Sequence, residues 1–423
     1  MIKNFIRQAR AEPGQISYYS CLLLGLSYPW SIAASTALLA ICGILGLVFS
    51  RREDLEKIWL HHKLIIISIS IYLGYFLLSI CWSIDPDEGL VRIARKWAWI
   101  FLLPLAMLLM RTHDARNGLF VGITAGLGSH LILCFIQWSQ IIPIGHTIFW
   151  GTVHLPLPST AEDPTGLLDH IHFGIIHGIY AALVFHRLLS GEKIHLLSLL
   201  VAILGIMFSF LSQGRTGYII IVALLLLVTI MDIRLLKKKT ILLLSACAVI
   251  VAISVALSPK TQTRIHHIAS DPQRMLIWSV ALDIWRDSPW FGMGAGGYNR
   301  AKVEQIRRSP EYHIKNPAFG HDHPHSIYLW HLTTGGILGL LSLLLLFGSL
   351  LWSGTLYWKT GGANIAVAGV ALIIHGAFND SLEQHFPLFA AIIALAIGFA
   401  ETSSGSSTFT EKSSDKSNGP RTI

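Results

Sequence analysis

The densest chemistry in the chain is the run His321-Asp322-His323-Pro324-His325-Ser326. Three histidines at a spacing of two share one side of an extended strand, not of a helix, and imidazole is a common metal ligand. No cysteine or second histidine pair stands close in sequence to complete a metal set. A second chemistry follows from Pro324. Proline favours the first helical turn, which puts His325 at the second helical position, at the positive end of a helix dipole. That field disfavours imidazolium, so His325 stays neutral and able to accept a proton, while the same field attracts phosphate. At 100° per residue, Leu332, Gly336 and Gly339 fall within about 40° of His325, with the glycines roughly 16–21 Å deeper. Such a stripe either gives a lipid tail a smooth groove or lets another helix approach closely.

Two arginines stand where a diphosphate ligand is one of two readings. Arg215, in Ser212-Gln213-Gly214-Arg215-Thr216-Gly217-Tyr218, lies in a short apolar hairpin; it is an interfacial anchor or a bidentate phosphate ligand. Arg274 opens a stretch in which Met275, Trp278, Leu282 and Trp285 recur at helical spacing. This predicts a helix lying along an interface, with Arg274 either solvated or bound to an anion. The glycines of Gly292-Met293-Gly294-Ala295-Gly296-Gly297-Tyr298 permit a tight turn with exposed amides, a weak phosphate-loop signal without a nucleotide fingerprint. Arg92, Arg95 and Lys96 form a second basic group that either anchors at the interface or binds a ligand. Asn379, Asp380 and Glu383 form an acidic corner, in which Asp380 either orients a histidine, balances an arginine or is simply solvated.

The elements that must position these residues are apolar. Hydrophobic residues make up 53% of the 423 and charged residues only 13%, against about 25% charged in a typical soluble domain. The apolar residues come in blocks long enough to span a bilayer. They predict an all-α polytopic membrane protein with helices near 16–30, 32–50, 64–83, 97–110, 118–142, 171–186, 196–213, 216–232, 240–258, 326–352, 363–379 and 386–400. The chain then divides into nine spans over 1–258, a large loop over 259–325, three spans over 326–400 and a disordered tail over 401–423.

Basic residues orient this arrangement. Lys3, Arg7, Arg10, Arg51, Arg52, Lys57, Lys63, Arg111, Arg116, Arg187, Lys193, Arg234, Lys237, Lys238 and Lys239 fall in alternate connections, and the connection 143–170 has no lysine or arginine. Both termini are therefore expected in the cytoplasm. The loop 259–325 is basic yet falls outside, and long loops cross regardless of charge. A connection of that length is usually functional. The basic N-terminus followed by apolar sequence reads as an uncleaved first helix. Cys21, Cys42, Cys81, Cys134 and Cys247 lie in or beside apolar segments without metal spacing. The net charge of +8 is spread in clusters between apolar blocks, which argues against nucleic acid.

The segment His325-Ser326, nine residues, then Gly336-Ile337-Leu338-Gly339 resembles the histidine–glycine motif of the bacterial O-antigen ligase family. Arg274 and Trp278, followed by Pro289 and the glycines to Tyr298, resemble that family's approach to the motif. Arg215 is similar to its R-x3-L arginine, with Ile219 in the leucine position. The resemblance implies a metal-independent, GT-C-like glycosyltransferase of the bacterial inner membrane, with no cofactor and a periplasmic active site. Its donor would be a glycan on undecaprenyl diphosphate, and its acceptor a sugar hydroxyl of lipid A–core. His325 would be the general base, and Arg215 and Arg274 would hold the diphosphate. Asp322, His323, Gly336, Gly339, Arg95 and Asp380 would line the substrate site.

Two relatives by chemistry are an O-antigen polymerase and a protein O-oligosaccharyltransferase, which use a similar donor with other acceptors. A lipid-linked glycan transporter is the reading of another class. Against it, the halves show no clear repeat, and the notable ionisable groups cluster at one boundary. No aspartate/glutamate pair suggests glycosidase chemistry.

Overall fold

A computed structural model describes residues 13–140, 147–150, 153–156, 162–212, 214–233, 238–257, 262, 272–309 and 323–404. The expectations for His321, Asp322 and the tail beyond residue 404 lie outside the described residues, whereas residues 401–403, expected in the tail, continue the last helix. Among the described residues the chain is helical apart from one antiparallel hairpin, β1 (Thr147–Trp150) and β2 (Val153–Pro156). In order, the first helices are α1 (Pro13–Ser27), α2 (Ile32–Phe49), α3 (Arg52–Leu78), α4 (Pro86–Ala94), α5 (Leu102–Arg111) and α6 (His113–Ser139). After the hairpin come α7 (His170–Leu189), α8 (Leu196–Leu211), α9 (Arg215–Met231), α10 (Lys238–Leu257), α11 (Pro272–Asp287) and α12 (Tyr298–Arg308). The last three are α13 (Ile327–Leu356), α14 (Gly362–Phe378) and α15 (His385–Ser403).

Among the described residues, seven helical segments are long and apolar enough to cross a membrane: 32–49, 52–82, 86–111, 113–139, 170–189, 327–356 and 385–403. Three shorter apolar helices, α8, α9 and α14, accompany them. Among the described residues each of the twelve predicted segments overlaps a helix, and seven segments have the length and hydropathy of a span. The third starts earlier than expected, because Asp54 accepts a bond from the Arg51 amide and an ion pair from Arg111 at 2.6 Å, which caps α3 at Arg52. The outward faces carry leucine, isoleucine and tryptophan (Ile44, Leu47, Leu226, Ile230, Trp352). In water such a surface would aggregate; in hydrocarbon it costs nothing.

Helix α15 runs through the middle of the bundle, buried along nearly its whole length. Its alanines and Gly398 keep it thin enough for α5, α7 and α14 to pack around it. Helices α1 and α6 cross where Gly118 and Gly122 press on the backbone of Tyr18 and Leu22.

Candidate active site

Helix α13 enters the bundle at the histidine run. The helix starts at Ile327 with Ser326 as its N-cap, so His325 stands two residues ahead of it and not at the expected second helical position. Its φ of +50° is left-handed, a conformation that side chains with a Cβ rarely adopt. The reason is the turn that precedes it. The His325 amide donates to Nδ1 of His323 at 3.2 Å, and the two rings meet edge to face at 4.4 Å. The first amide of the helix is occupied as well, since Ile327 donates to the Asn379 carbonyl at 3.1 Å. The half-buried imidazole is therefore aimed by a strained backbone corner.

Further along, α13 is broken. Gly336 has φ +63° and ψ −161°, outside any helix, and the turn Pro289–Gly297 fills the gap. In a continuous helix Ile337 and Leu338 would donate to Thr333 and Thr334. Here they donate to Pro289 and Trp290 at 2.8 and 3.3 Å, while Thr333 and Thr334 accept from Met293 and Gly294 at 2.9 Å each. Two lost helical bonds are replaced by four across the junction. Irregular backbone beside hydrocarbon is tolerated only when it is satisfied in this way. Tyr75 on α3 adds a bond to the Gly335 carbonyl, and Ser79 and Ser83 bind both backbone groups of Ala295.

Two expectations are corrected here. The amides of Met293, Gly294 and Ala295 are donors to protein, so this turn is not a phosphate loop. Gly336 and Gly339 also do not line a lipid groove. Gly336 is covered by the backbone of Trp290 and Phe291, and Gly339 faces Tyr75 and Phe76. Close packing is what those glycines permit.

Helix α11 forms as expected, but its buried stripe is Ile277, Val280, Ala281 and Ile284, set against Tyr298 and Ala301 of α12. Met275 of the expected stripe is exposed, and Trp278, Leu282 and Trp285 are half-buried. Arg274, at the start of α11, places its guanidinium 5.5 Å over the ring of Phe378, the last residue of α14. The next residue is Asn379, whose carbonyl holds the start of α13. Arg274 and the first residue of α13, two positions beyond His325, are thus held by adjacent residues, Phe378 and Asn379.

Arg215 begins α9 and is half-buried. A Cβ on Gly214 would overlap the carbonyl of His170, and Gly217 touches Gly174, so α9 is pressed against the first turns of α7. Asp169 caps α7 through the amides of Ile171 and His172. Burial alone would raise its pKa, but hydrogen bonds and the charge of His172 lower it below the ordinary carboxylate value. His172 also bonds Gln384 at 3.1 Å, which joins Arg215's neighbourhood to the corner preceding α15. His170 is paired with Asp163 at 2.9 Å.

Asp380 is buried in that corner beside Glu383, and among the described residues neither carboxylate oxygen meets a partner at full hydrogen-bond geometry. Burial, together with the neighbouring Glu383 charge, pushes its pKa well above the usual carboxylate range. Glu383 goes the other way: burial would raise it, but Lys96 and Arg92 hold it at about 2. Arg95, singled out from the sequence, is exposed, whereas its neighbours Arg92 and Lys96 are buried against Glu383. Their four-residue spacing on one helical face was the available signal. Among the described residues no group of three His, Cys, Asp or Glu side chains is placed to hold a metal.

Residues 200–344, from α8 through the break in α13, match the family model described as O-antigen ligase. The chain carries an O-antigen ligase family domain. No curated protein matches it. The O-antigen ligase domain takes in Arg215, Arg274, the glycine turn, His325 and Gly336. The residues that complete the corner, Asp380 and Glu383, and the cations Arg92 and Lys96 lie outside the matched segment.

Proposed function

We propose that the protein transfers a preassembled glycan from undecaprenyl diphosphate to a sugar hydroxyl of lipid A–core, at the periplasmic face of the bacterial inner membrane, with both termini in the cytoplasm. One observation carries this reading: Arg274 stacks on Phe378 and the adjacent Asn379 holds Ile327, two residues beyond His325, and both Arg274 and His325 lie in the segment 200–344 that matches the O-antigen ligase model. A diphosphate is already a good leaving group, so the enzyme needs a base and cations, not a strong acid. His325 takes the proton of the acceptor hydroxyl. The hydroxyl oxygen attacks the anomeric carbon, and the bond to the diphosphate oxygen breaks with its electron pair leaving on undecaprenyl diphosphate. Arg274, with Arg215 from α9, stabilises the charge that develops there. Direct displacement inverts the anomeric centre. His323 supports the His325 turn, and Asp322 and Asp380 contribute polar contacts for substrate.

The test is reconstitution of the purified protein in vesicles with a lipid-linked glycan and alternative acceptors. Glycan on lipid A–core is the expected product. Elongated lipid-linked glycan would identify a polymerase, and glycan on protein an oligosaccharyltransferase. Normal capped lipopolysaccharide in a deletion strain overturns the ligase assignment.

A further inference from the structure

The entrance to α13 is held by charges that the proposed chemistry does not use. Glu383 accepts from Lys96 at 2.6 Å and from Arg92 at 2.9 Å, and Arg92 also pairs with Glu88 at 2.7 Å. The side chains of Lys96 and Glu383 are only 2% and 3% exposed. The Lys96 ammonium lies 5.0 Å over the ring of Trp330, in the first turn of α13, and 5.9 Å from the rings of Tyr72 and Phe76 on α3. Trp330 in turn donates its amide to the Ser326 carbonyl, one residue from His325. On the other side of the histidine, the corner that carries Glu383 supplies the Asn379 carbonyl to Ile327. One lysine therefore reaches the His325 turn by two routes, through an aromatic ring and through a carboxylate.

Buried ion pairs are weak contributors to stability, because desolvation offsets most of the attraction. Leucine or methionine side chains would hold α4 against the corner as well. What an ammonium between a carboxylate and a tryptophan face adds is a fixed position and angle. We propose that Lys96 is a positioning residue: with Glu383 and Trp330 it sets where His325 stands relative to the reacting hydroxyl. The proposal rests on His325 acting as the base.

The experiment uses the full chain in vesicles with lipid-linked donor and lipid A–core acceptor. Lys96→Met is expected to lower turnover at least about tenfold while the KM for donor stays within about twofold, since misplacement of a base affects the reacting step and not binding. Lys96→Arg keeps the charge and should recover to within about threefold of wild type, and Glu383→Gln should behave as Lys96→Met. The double variant should be no slower than either single one, because both act through one contact. Turnover above about half of wild type in Lys96→Met, or multiplicative losses in the double variant, overturns the proposal. If Lys96→Met fails to fold, Glu383→Asp draws the carboxylate back from Lys96 without removing charge; unchanged turnover there overturns it equally. His325→Ala is measured alongside. Wild-type activity in that variant would sink the base itself, whereas an inactive His325→Ala beside an indifferent Lys96→Met sinks only the positioning.

Discussion

Gly336 in α13 and Trp290 in the glycine turn share a space that admits no side chain. A Cβ on Gly336 would overlap the carbonyl of Trp290 and come within 2.5 Å of the Phe291 nitrogen. Its φ of +63° with ψ of −161° is, besides, a backbone region open essentially to glycine alone. Gly336→Ala therefore meets backbone on one side and conformational strain on the other. We expect a loss of about 3 kcal/mol or more, the sum of a strained backbone and an overpacked contact, read as a lower melting temperature in detergent. Gly348→Ala is the control: it lies in the same helix with nothing within 4 Å, so it should melt at or slightly above wild type. Equal melting of the two variants would show that the junction is loose.

The left-handed backbone of His325 separates strain from chemistry. His325→Ala and His325→Gly both remove the imidazole and should both abolish transfer while retaining donor binding. They should differ in stability, because only glycine occupies φ +50° without cost. We expect His325→Gly to be more stable than His325→Ala by about 1 kcal/mol, measured by thermal unfolding. Full transfer activity in either variant removes His325 from the mechanism.

The helices were legible because a bilayer demands long apolar blocks, and each block announces itself over some twenty residues. The helix at Pro272–Asp287 was legible too, although its buried stripe was not. Two apolar stripes run along α11, and only the packing of Tyr298 and Ala301 decides between them. The glycine turn reads as an anion loop until its partners are known. Thr333 and Thr334 take up its amides only because α13 breaks at Gly336, and a break filled from another segment leaves no local trace. The same holds for the charged corner. Helical pitch favours Arg92 and Lys96, four residues apart, over Arg95, but their partner Glu383 lies 287 residues from Lys96, so local pattern could not show what they pair with.

The stacking of Arg274 on Phe378 yields a graded expectation. Arg274→Ala removes the charge and should weaken both turnover and the affinity for undecaprenyl diphosphate, measured by product inhibition. Phe378→Leu leaves the charge but frees the guanidinium, and a cation–aromatic contact contributes about 0.5–1 kcal/mol. The corresponding loss is about twofold to fivefold in product affinity. Arg274→Lys should fall between the two, keeping charge without the planar fork. If Phe378→Leu proves as damaging as Arg274→Ala, Phe378 contributes to the site by another route.

Asp380 and Glu383 sit in one corner with opposite shifts, and the signs give a pH test. Asp380 is raised, so between the ordinary value of 3.8 and its folded value the folded chain holds a proton that the unfolded chain has lost. Stability then falls as pH rises through that window. Glu383 is depressed from 4.5 to about 2, so its contribution is present in full above 4.5 and is lost as pH falls towards 2. Asp380→Asn replaces a neutral acid by a neutral isostere. It should flatten the decline on the alkaline side and melt no lower than wild type there. Glu383→Gln leaves Lys96 and Arg92 without their shared carboxylate and should cost about 3–5 kcal/mol near neutral pH, with the difference from wild type shrinking below pH 4.5. Melting temperatures in detergent from pH 2 to pH 9 read both slopes. An Asp380→Asn variant that melts lower than wild type at every pH, with the wild-type slope, would mean that Asp380 is ionised in the folded chain and serves as a counter-charge for the cations around it.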